Sequence, residues 1–219
     1  TARKQGELDA AGRHLDALGI EALPIVCDMS DLQAIRPLVD TVVERLGPID
    51  ILVNNAGTSW GAPTVEHPID GWNKVMTLNV TALFVLTQEV GRRCMVPRKS
   101  GKVINIASIQ GLTGTYPPGM PTLAYNASKG AVVNLTRTLA AEWAPLGINV
   151  NAIAPGFFPT KMTAPIAAAL GDDATAAMAP MRKTGGPEDL KGVVALFASD
   201  ACAFITGQTL AVDGGLTAV

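Results

Sequence analysis

The amino-acid sequence predicts an α/β fold built on a doubly wound parallel sheet, and three observations carry that prediction. Short β-branched apolar runs alternate with longer stretches of helical spacing, which is the βαβ pattern. The runs are nearly continuous in apolar residues over their centres, as parallel strands buried on both faces require. The helical stretches between them are long enough to form crossover connections.

The chain opens with a polar helical stretch at 5–18, followed by the strand candidate ALPIVCD at 22–28 and a helix at 31–46. IDILVNNAG at 49–57 is the next strand, and a long helix follows at 70–96. GKVINIAS at 101–108 and INVNAIAPG at 148–156 flank a helix at 124–145, and QTLAVDGG at 208–215 closes the series after a helix at 187–199. Each strand candidate is bounded by Gly, Pro, Asp or Asn, the residues that punctuate turns. Only 157–186 resists this scheme, because Pro, Gly and Ala-rich pieces alternate there without a firm period; it reads as a mobile lid with one short helix. At 219 residues the chain is expected to form a single domain, with 157–186 as a lid within it.

Composition excludes several function classes. Seventeen basic against 19 acidic residues give a net charge of −2, which provides no electrostatic footprint for nucleic acid or an anionic membrane. Cys27, Cys94 and Cys202 are an odd number without paired spacing, which argues against a disulfide scaffold and against a zinc site. No metal site is therefore expected. A reducing, cytoplasmic setting fits these thiols, and no run of about 18 uncharged apolar residues is present to span a membrane.

The sharpest chemical constellation is Tyr125-Asn126-Ala127-Ser128-Lys129 at the start of a helix. Four-residue spacing puts Tyr125 and Lys129 on one helix face, where an ammonium can favour the ionised phenol and make it a usable acid or base. An accidental Tyr and Lys on a solvated face is the bland alternative. Ser108 ends a strand at the carboxyl edge, where open α/β sheets place ligands, and its hydroxyl can bind a carbonyl oxygen as charge develops there; a plain turn or cap serine is the competing reading. Asn79 stands inside an apolar helix that it disfavours, so its buried amide needs a partner. His14 and His67 read as surface residues, and no Ser/His/Asp triad can be assembled.

Taken together, Asn54-Asn55-Ala56-Gly57 at a strand end, Asn79 in the next helix, Ser108 at a strand end, Tyr125-x-x-x-Lys129 opening a helix, and Pro155-Gly156 after a further strand resemble the short-chain dehydrogenase/reductase family in order and spacing. The resemblance covers essentially the whole chain. It implies a Rossmann-type fold and hydride transfer between a nicotinamide cofactor and a carbonyl or secondary alcohol carbon. By the same resemblance Tyr125 is the acid or base on the substrate oxygen, Ser108 orients and polarises that oxygen, Lys129 lowers the phenol's pKa and holds the nicotinamide ribose, and Asn79 holds a water that relays protons to Lys129.

The cofactor assignments also come from the resemblance. Asn55, Ala56 and Gly57 form a turn that lets the backbone approach the adenosine ribose. Asp28 accepts from the adenine amino group and Met29 offers its backbone amide, although this stretch also reads as a helix N-cap in which Ser30 is the better candidate. Pro155, Gly156, Phe158 and Thr160 make a loop in which the Phe158 backbone meets the carboxamide and Thr160 the phosphates. If Thr1-Ala2-Arg3 ends a strand, Arg3 lies beside the adenosine 2′ position, where a guanidinium suits the 2′-phosphate of NADP and an NAD enzyme presents a carboxylate. NADP is therefore expected, with NAD possible.

Two departures stand out. The family's Gly-rich turn, its first strand and nearly all of its second are not in this chain, which predicts a fragment or ordered part of a longer chain and a gap of roughly 10 Å beside the 22–28 strand. Ser108 and Tyr125 are also 17 positions apart, a few more than usual, and Pro117, Pro118 and Pro121 stiffen the extra loop. Substrate walls are expected from Trp60, Gln110, Tyr116, Phe157 and the 161–181 lid. DILVNNAGTSWGA resembles the β-ketoacyl reductase branch, whereas NAIAPGFFPTKMT resembles gluconate 5-dehydrogenases, and the 3-oxoacyl thioester is the first expectation. A hypothesis of another class is a non-catalytic relative that has lost cofactor binding. Family members commonly form homotetramers or homodimers, and Leu83, Leu86 and Val90 offer an apolar face that either serves association or packs on the sheet.

Overall fold

The computed structural model describes residues 1–114 and 121–219. Four parallel strands form one sheet in the order β1 (Ile51–Asn54), β2 (Gly101–Ile106), β3 (Ile148–Pro155), β4 (Thr209–Val212). Leu52 pairs with Val103 and Val103 with Val150, so the apolar centres of the strands lie side by side.

Two layers of side chains cover this sheet. On one face Leu52, Val103, Ile148 and Val150 pack with Val39 of α2 (Leu32–Leu46), Val90 of α4 (Leu83–Val90), and Ala140 and Trp143 of α6 (Leu123–Trp143). On the other face Ile104 and Ile153 pack with Phe197 of α9 (Lys191–Ala198) and with Cys202. Ile51 and Val53 stay 43% and 42% exposed, so burial of that second face stops short of β1.

The predicted strand at 22–28 makes no ladder. Only a single parallel bridge joins Val26 to Ala2, and Cys27 donates its amide to the Ala2 carbonyl. Its apolar pattern is used differently: Cys27 and Met29 are buried against Ile35 and Leu38 of α2 and Ala82. Ahead of it, α1 (Gln5–Asp16) buries Leu8 alone. Helix α2 is capped by Asp31, not Ser30, because the Asp31 carboxylate accepts from the Gln33 amide while Ser30 bonds to Asp28.

The long helix at 70–96 is one helical path that starts at α3 (Ile69–Met76) and runs through α4 to α5 (Val96–Arg98), with π-helical turns at Thr77–Ala82 and Gly91–Met95. The first π turn holds Asn79. The second begins at Gly91, where a Cβ would lie 2.4 Å from the Trp143 ring, so the close approach of α6 requires glycine. Leu83 and Val90 are buried, Leu83 against Val132 and Val133 of α6 and Val90 against the sheet, and the half-buried Leu86 packs beside Val90. In the lid, two short helices replace the expected one: α7 (Ala164–Leu170) and α8 (Asp172–Ala177) meet at Gly171, whose φ of 80° ends the first. Ion pairs join neighbouring elements, Arg93 with Asp40 and Glu89, Arg98 with Asp50 and Lys102 with Asp200. Among the described residues no helix is long and apolar enough to cross a membrane, and no cluster of His, Cys, Asp or Glu could hold a metal ion.

Candidate active site

Parallel strands present their carboxyl ends to one edge of the sheet, and the candidate catalytic residues gather there. Ser108 lies two residues beyond β2 and opens a short 3-10 turn, Ile109–Gly111, whose Gln110 amide donates to the Ser108 hydroxyl at 3.2 Å. Gly111 lets this turn rest on α6: a Cβ there would lie 2.5 Å from the Lys129 carbonyl carbon and 2.6 Å from its oxygen. The turn is thus pressed against the helix that carries Tyr125 and Lys129, and the Ser108 hydroxyl acts on the Tyr125 phenol in the direction that favours its ionised form.

Burial and hydrogen bonding set the charges. Removal from water pushes the Tyr125 phenol above its usual value, and the Ser108 hydroxyl draws it partly back. Lys129 is 5% exposed, and desolvation lowers its ammonium to about 8. Its Nζ donates to the Ile106 carbonyl at 2.6 Å and stands 5.6 Å from the centre of the Tyr125 ring. The expected lowering of the phenol's pKa by Lys129 is not what this arrangement produces. Burial dominates the phenol, and Ser108 is the group that opposes it.

Asn79 does more than kink a helix. Its Oδ1 accepts from the Thr58 amide at 2.8 Å, and its Nδ2 donates to the Thr58 carbonyl and to the Ser128 hydroxyl, each at 2.9 Å. Ser128, fully buried, donates in turn to the Tyr125 carbonyl at 2.7 Å. One side chain therefore ties the turn after β1 to the first turn of α6. Gly57 fits into the same junction, since a Cβ there would meet Asn79 Oδ1 at 3.5 Å and Lys129 Nζ at 3.7 Å. Neither Ser128 nor Gly111 was singled out by sequence reasoning. Ser128 lies inside the Tyr-x-x-x-Lys segment, and Gly111 three residues after Ser108 is the only hint of the close approach.

A cavity of about 620 Å³ opens beside this junction, lined by Arg3, Asp28, Met29, Asn55, Ala56 and Gly57 among others. Six of the expected cofactor residues are thereby brought together. The Asp28 carboxylate accepts from the amide and hydroxyl of Ser30, which holds it below the usual carboxylate range. Phe157 and Phe158 line a separate cavity of about 170 Å³ with Met178, Met181 and Leu216, and the Phe158 ring covers Gly185. The Phe158 carbonyl accepts from the Thr163 hydroxyl at 2.6 Å, and Thr160 exchanges hydrogen bonds with Thr163, so this loop is braced internally. Gly156 rests on Asp213 at the end of β4. Trp60 lies flat on Gly71 with the Lys74 ammonium 5.3 Å from its ring, and Gln110 is committed through its backbone to Ser108. Tyr116 lies outside the described residues.

The polar part of the larger cavity's lining has the chemistry an adenosine would need, beside an apolar part formed by Val53, Leu78, Ala82, Leu83 and Leu86. Small residues at Asn55–Gly57 admit its backbone approach, Asp28 offers an acceptor at its rim, and Arg3 supplies a cation. Beyond its edge, Ser108, Tyr125 and Lys129 combine a hydroxyl, a protonated phenol and an ammonium, a set suited to moving a proton to or from an oxygen.

Comparison with known proteins agrees with this arrangement. Residues 2–217 match the family model adh_short_C2, described as Enoyl-(Acyl carrier protein) reductase. The 2-dehydro-3-deoxy-D-gluconate 5-dehydrogenase of Pseudoalteromonas atlantica is 42% identical over 204 residues, 91% of this chain and 77% of that protein. The rhamnolipids biosynthesis 3-oxoacyl-[acyl-carrier-protein] reductase of Pseudomonas aeruginosa is 41% identical over 214 residues, 94% of this chain and 80% of that one. A crystal structure of a gluconate 5-dehydrogenase from Burkholderia cenocepacia, in complex with NADP and tartrate, superposes with a TM-score of 0.88 at 36% identity, covering 99% of this chain and 84% of that one. With the Ser108, Tyr125 and Lys129 geometry, these matches make the protein an NAD(P)-dependent oxidoreductase acting on CH–OH groups, and the chain belongs to the short-chain dehydrogenase/reductase family.

Proposed function

We propose that the protein uses NADP(H) and that its physiological direction is reduction of the ketone of a 3-oxoacyl thioester. The observation that carries the chemistry is the contact of Ser108 with a buried, protonated Tyr125 above Lys129. A bound nicotinamide cofactor would supply the hydride for the carbonyl carbon. Tyr125 donates its phenolic proton to the oxygen on which charge develops, and Ser108 holds that oxygen with its hydroxyl. Because burial keeps the phenol protonated through neutral pH, the free site is set for the acid role that reduction needs. Lys129 would exchange the Ile106 carbonyl for the ribose hydroxyls of a bound cofactor. Asn79 and Ser128 keep the first turn of α6 in register with the turn after β1.

The thioester reading is supported by the likeness to the Pseudomonas aeruginosa reductase and by the Phe157, Met178, Met181 and Leu216 lining of the smaller cavity, which suits an acyl chain. A second reading, a sugar-acid dehydrogenase, is supported by the gluconate-type relatives and by the Lys74 ammonium on Trp60, a cation that suits a carboxylate. NADP is supported by Arg3 in the larger cavity and by the relative solved with it.

The test is cofactor oxidation by the full-length protein with acetoacetyl thioester and with 5-ketogluconate, each with NADPH and NADH. Oxidation of NADPH by the thioester supports the first reading, and turnover of the sugar acid alone replaces it with the second. Tyr125→Phe should lower kcat by about 10² to 10⁴ while NADPH binding persists. Unchanged turnover would remove Tyr125 from the acid role. Arg3→Asp should shift preference towards NADH, and an unaltered ratio of kcat/KM for the two cofactors would sink the NADP assignment.

A further inference from the structure

We infer that Lys161 is a second cation for the 2′-phosphate of the cofactor and that it is parked on Glu7 until that phosphate arrives. This rests on the NADP reading above. Lys161 follows Thr160 directly, at the end of the loop that leaves β3, yet its Nζ lies 2.6 Å from Glu7 Oε1 on α1, where both residues line the larger cavity. Lys4 Nζ stands 4.0 Å from the same oxygen. Arg3, Lys4, Glu7 and Lys161 all line the cavity that holds Asp28 and Asn55–Gly57.

Charge decides what this cluster can do. Of the two carboxylates in the described lining, Asp28 takes the amide and hydroxyl of Ser30 on one oxygen, and Glu7 is the one that engages Lys161. The Lys161 and Glu7 side chains are 87% and 48% exposed, and an ion pair that wet is weak and readily exchanged. A dianionic phosphate beside Arg3 offers Lys161 a stronger, charge-assisted partner than a single carboxylate does. Glu7 is not stranded by the exchange, because Lys4 remains within reach. The lid would then be drawn onto the cofactor by the same lysine that ties it to α1 in the free protein. Glu7 acts as a weak competitor for Lys161, and the exchange favours a ligand that carries the extra phosphate over one that lacks it.

The experiment is direct titration of NADPH and NADH, followed by nicotinamide fluorescence without substrate, on the full-length protein and on Lys161→Gln, Glu7→Gln and the double variant. Lys161→Gln should weaken NADPH about fivefold and leave NADH within about twofold. Glu7→Gln should tighten NADPH about threefold in the native background, and that gain should vanish when Lys161 is already Gln. Three results overturn the inference. Equal losses for NADPH and NADH would mean that Lys161 does not read the 2′-phosphate. An equal gain from Glu7→Gln in both backgrounds would mean that the carboxylate merely repels the ligand. Weakening by both single variants would mean that the pair is a structural latch. Failure of the unmodified protein to bind NADPH more tightly than NADH sinks the NADP reading itself, and the inference with it. Retained NADPH preference with any of the three results sinks the inference alone.

Discussion

Lys129 carries the least comfortable charge in the site. Its ammonium is buried with the Ile106 carbonyl as acceptor, and removal from water lowers its pKa from 10.5 to about 8. The folded protein therefore releases this proton near pH 8, while the unfolded chain keeps it until about 10.5. Between those values the unfolded state binds more protons, and stability must rise with pH through that window. The full shift corresponds to roughly 3 kcal/mol. Urea unfolding of the wild type and Lys129→Met at pH 7.5 and pH 10.5 should show the wild type gaining a few kcal/mol relative to the variant as pH rises. A constant difference would mean that the ammonium is not desolvated. The comparison isolates Lys129 because Tyr125, whose raised pKa works in the opposite direction at high pH, is present in both proteins. The identity of the catalytic side chains was legible in the sequence because it rests on spacing along a helix. Their charge balance was not, because whether an ammonium tunes a phenol or is itself tuned by burial depends on which groups surround it in three dimensions. Asn79 is similar: its need for a partner was readable, but Thr58 and Ser128 are 21 and 49 positions away.

Among the elements, the short turn after β2 bears most on the geometry of the site. Gly111 sits where any side chain would meet the Lys129 backbone, and backbone inside a helix has nowhere to move. Gly111→Ala should lift the turn off α6, separate Ser108 from Tyr125 and lower kcat by about tenfold to a hundredfold, with a stability cost of about 1–3 kcal/mol. Gly114→Ala is the control, because a Cβ there meets nothing within 4 Å. Steady-state rates and urea midpoints of the two variants check this, and a Gly111→Ala enzyme as active as the control would show that the close approach does not position Ser108. Helices with firm apolar periodicity were readable from the sequence to within a few residues. The two π turns were not, since Gly91 is demanded by the Trp143 ring, which arrives from an element 52 positions on. The second lid helix did have a local signal, a glycine followed by Asp172 and Asp173 in a first helical turn, where acidic residues complement the helix dipole. The 22–28 run shows the limit of pattern reading. Alternation marks what a segment can bury but not whether a partner strand lies beside it, and here half the pattern packs on α2 while the backbone makes one bridge.

At the scale of the whole molecule, the sheet and its helices are joined by polar side chains as well as by the apolar core. Asn54 and Asn105 face each other across β1 and β2 in register, and Asn54 Nδ2 donates to Asn105 Oδ1 at 2.8 Å and to Thr87 Oγ1 on α4 at 2.9 Å. Asn105 Nδ2 passes the chain on to Thr136 Oγ1 of α6 at 2.9 Å, and both threonines donate to carbonyls of their own helices. Asn105 and Thr136 are fully buried, so none of these groups can turn to water if a partner is lost. The network fixes α4 and α6 against the strands whose ends carry Gly57 and Ser108, which couples the integrity of the core to the geometry of the site. Asn105→Ala should cost about 2–4 kcal/mol, since it leaves a buried amide of Asn54 short of an acceptor as well as a cavity. Thr136→Val, which keeps the shape and removes the acceptor, should cost about 1–3 kcal/mol. Because both changes break the same bond, the double variant should lose less than the sum by at least about 0.5 kcal/mol in urea unfolding. Strict additivity would mean that Asn105 and Thr136 stabilise the fold independently and that the polar chain is a set of separate contacts.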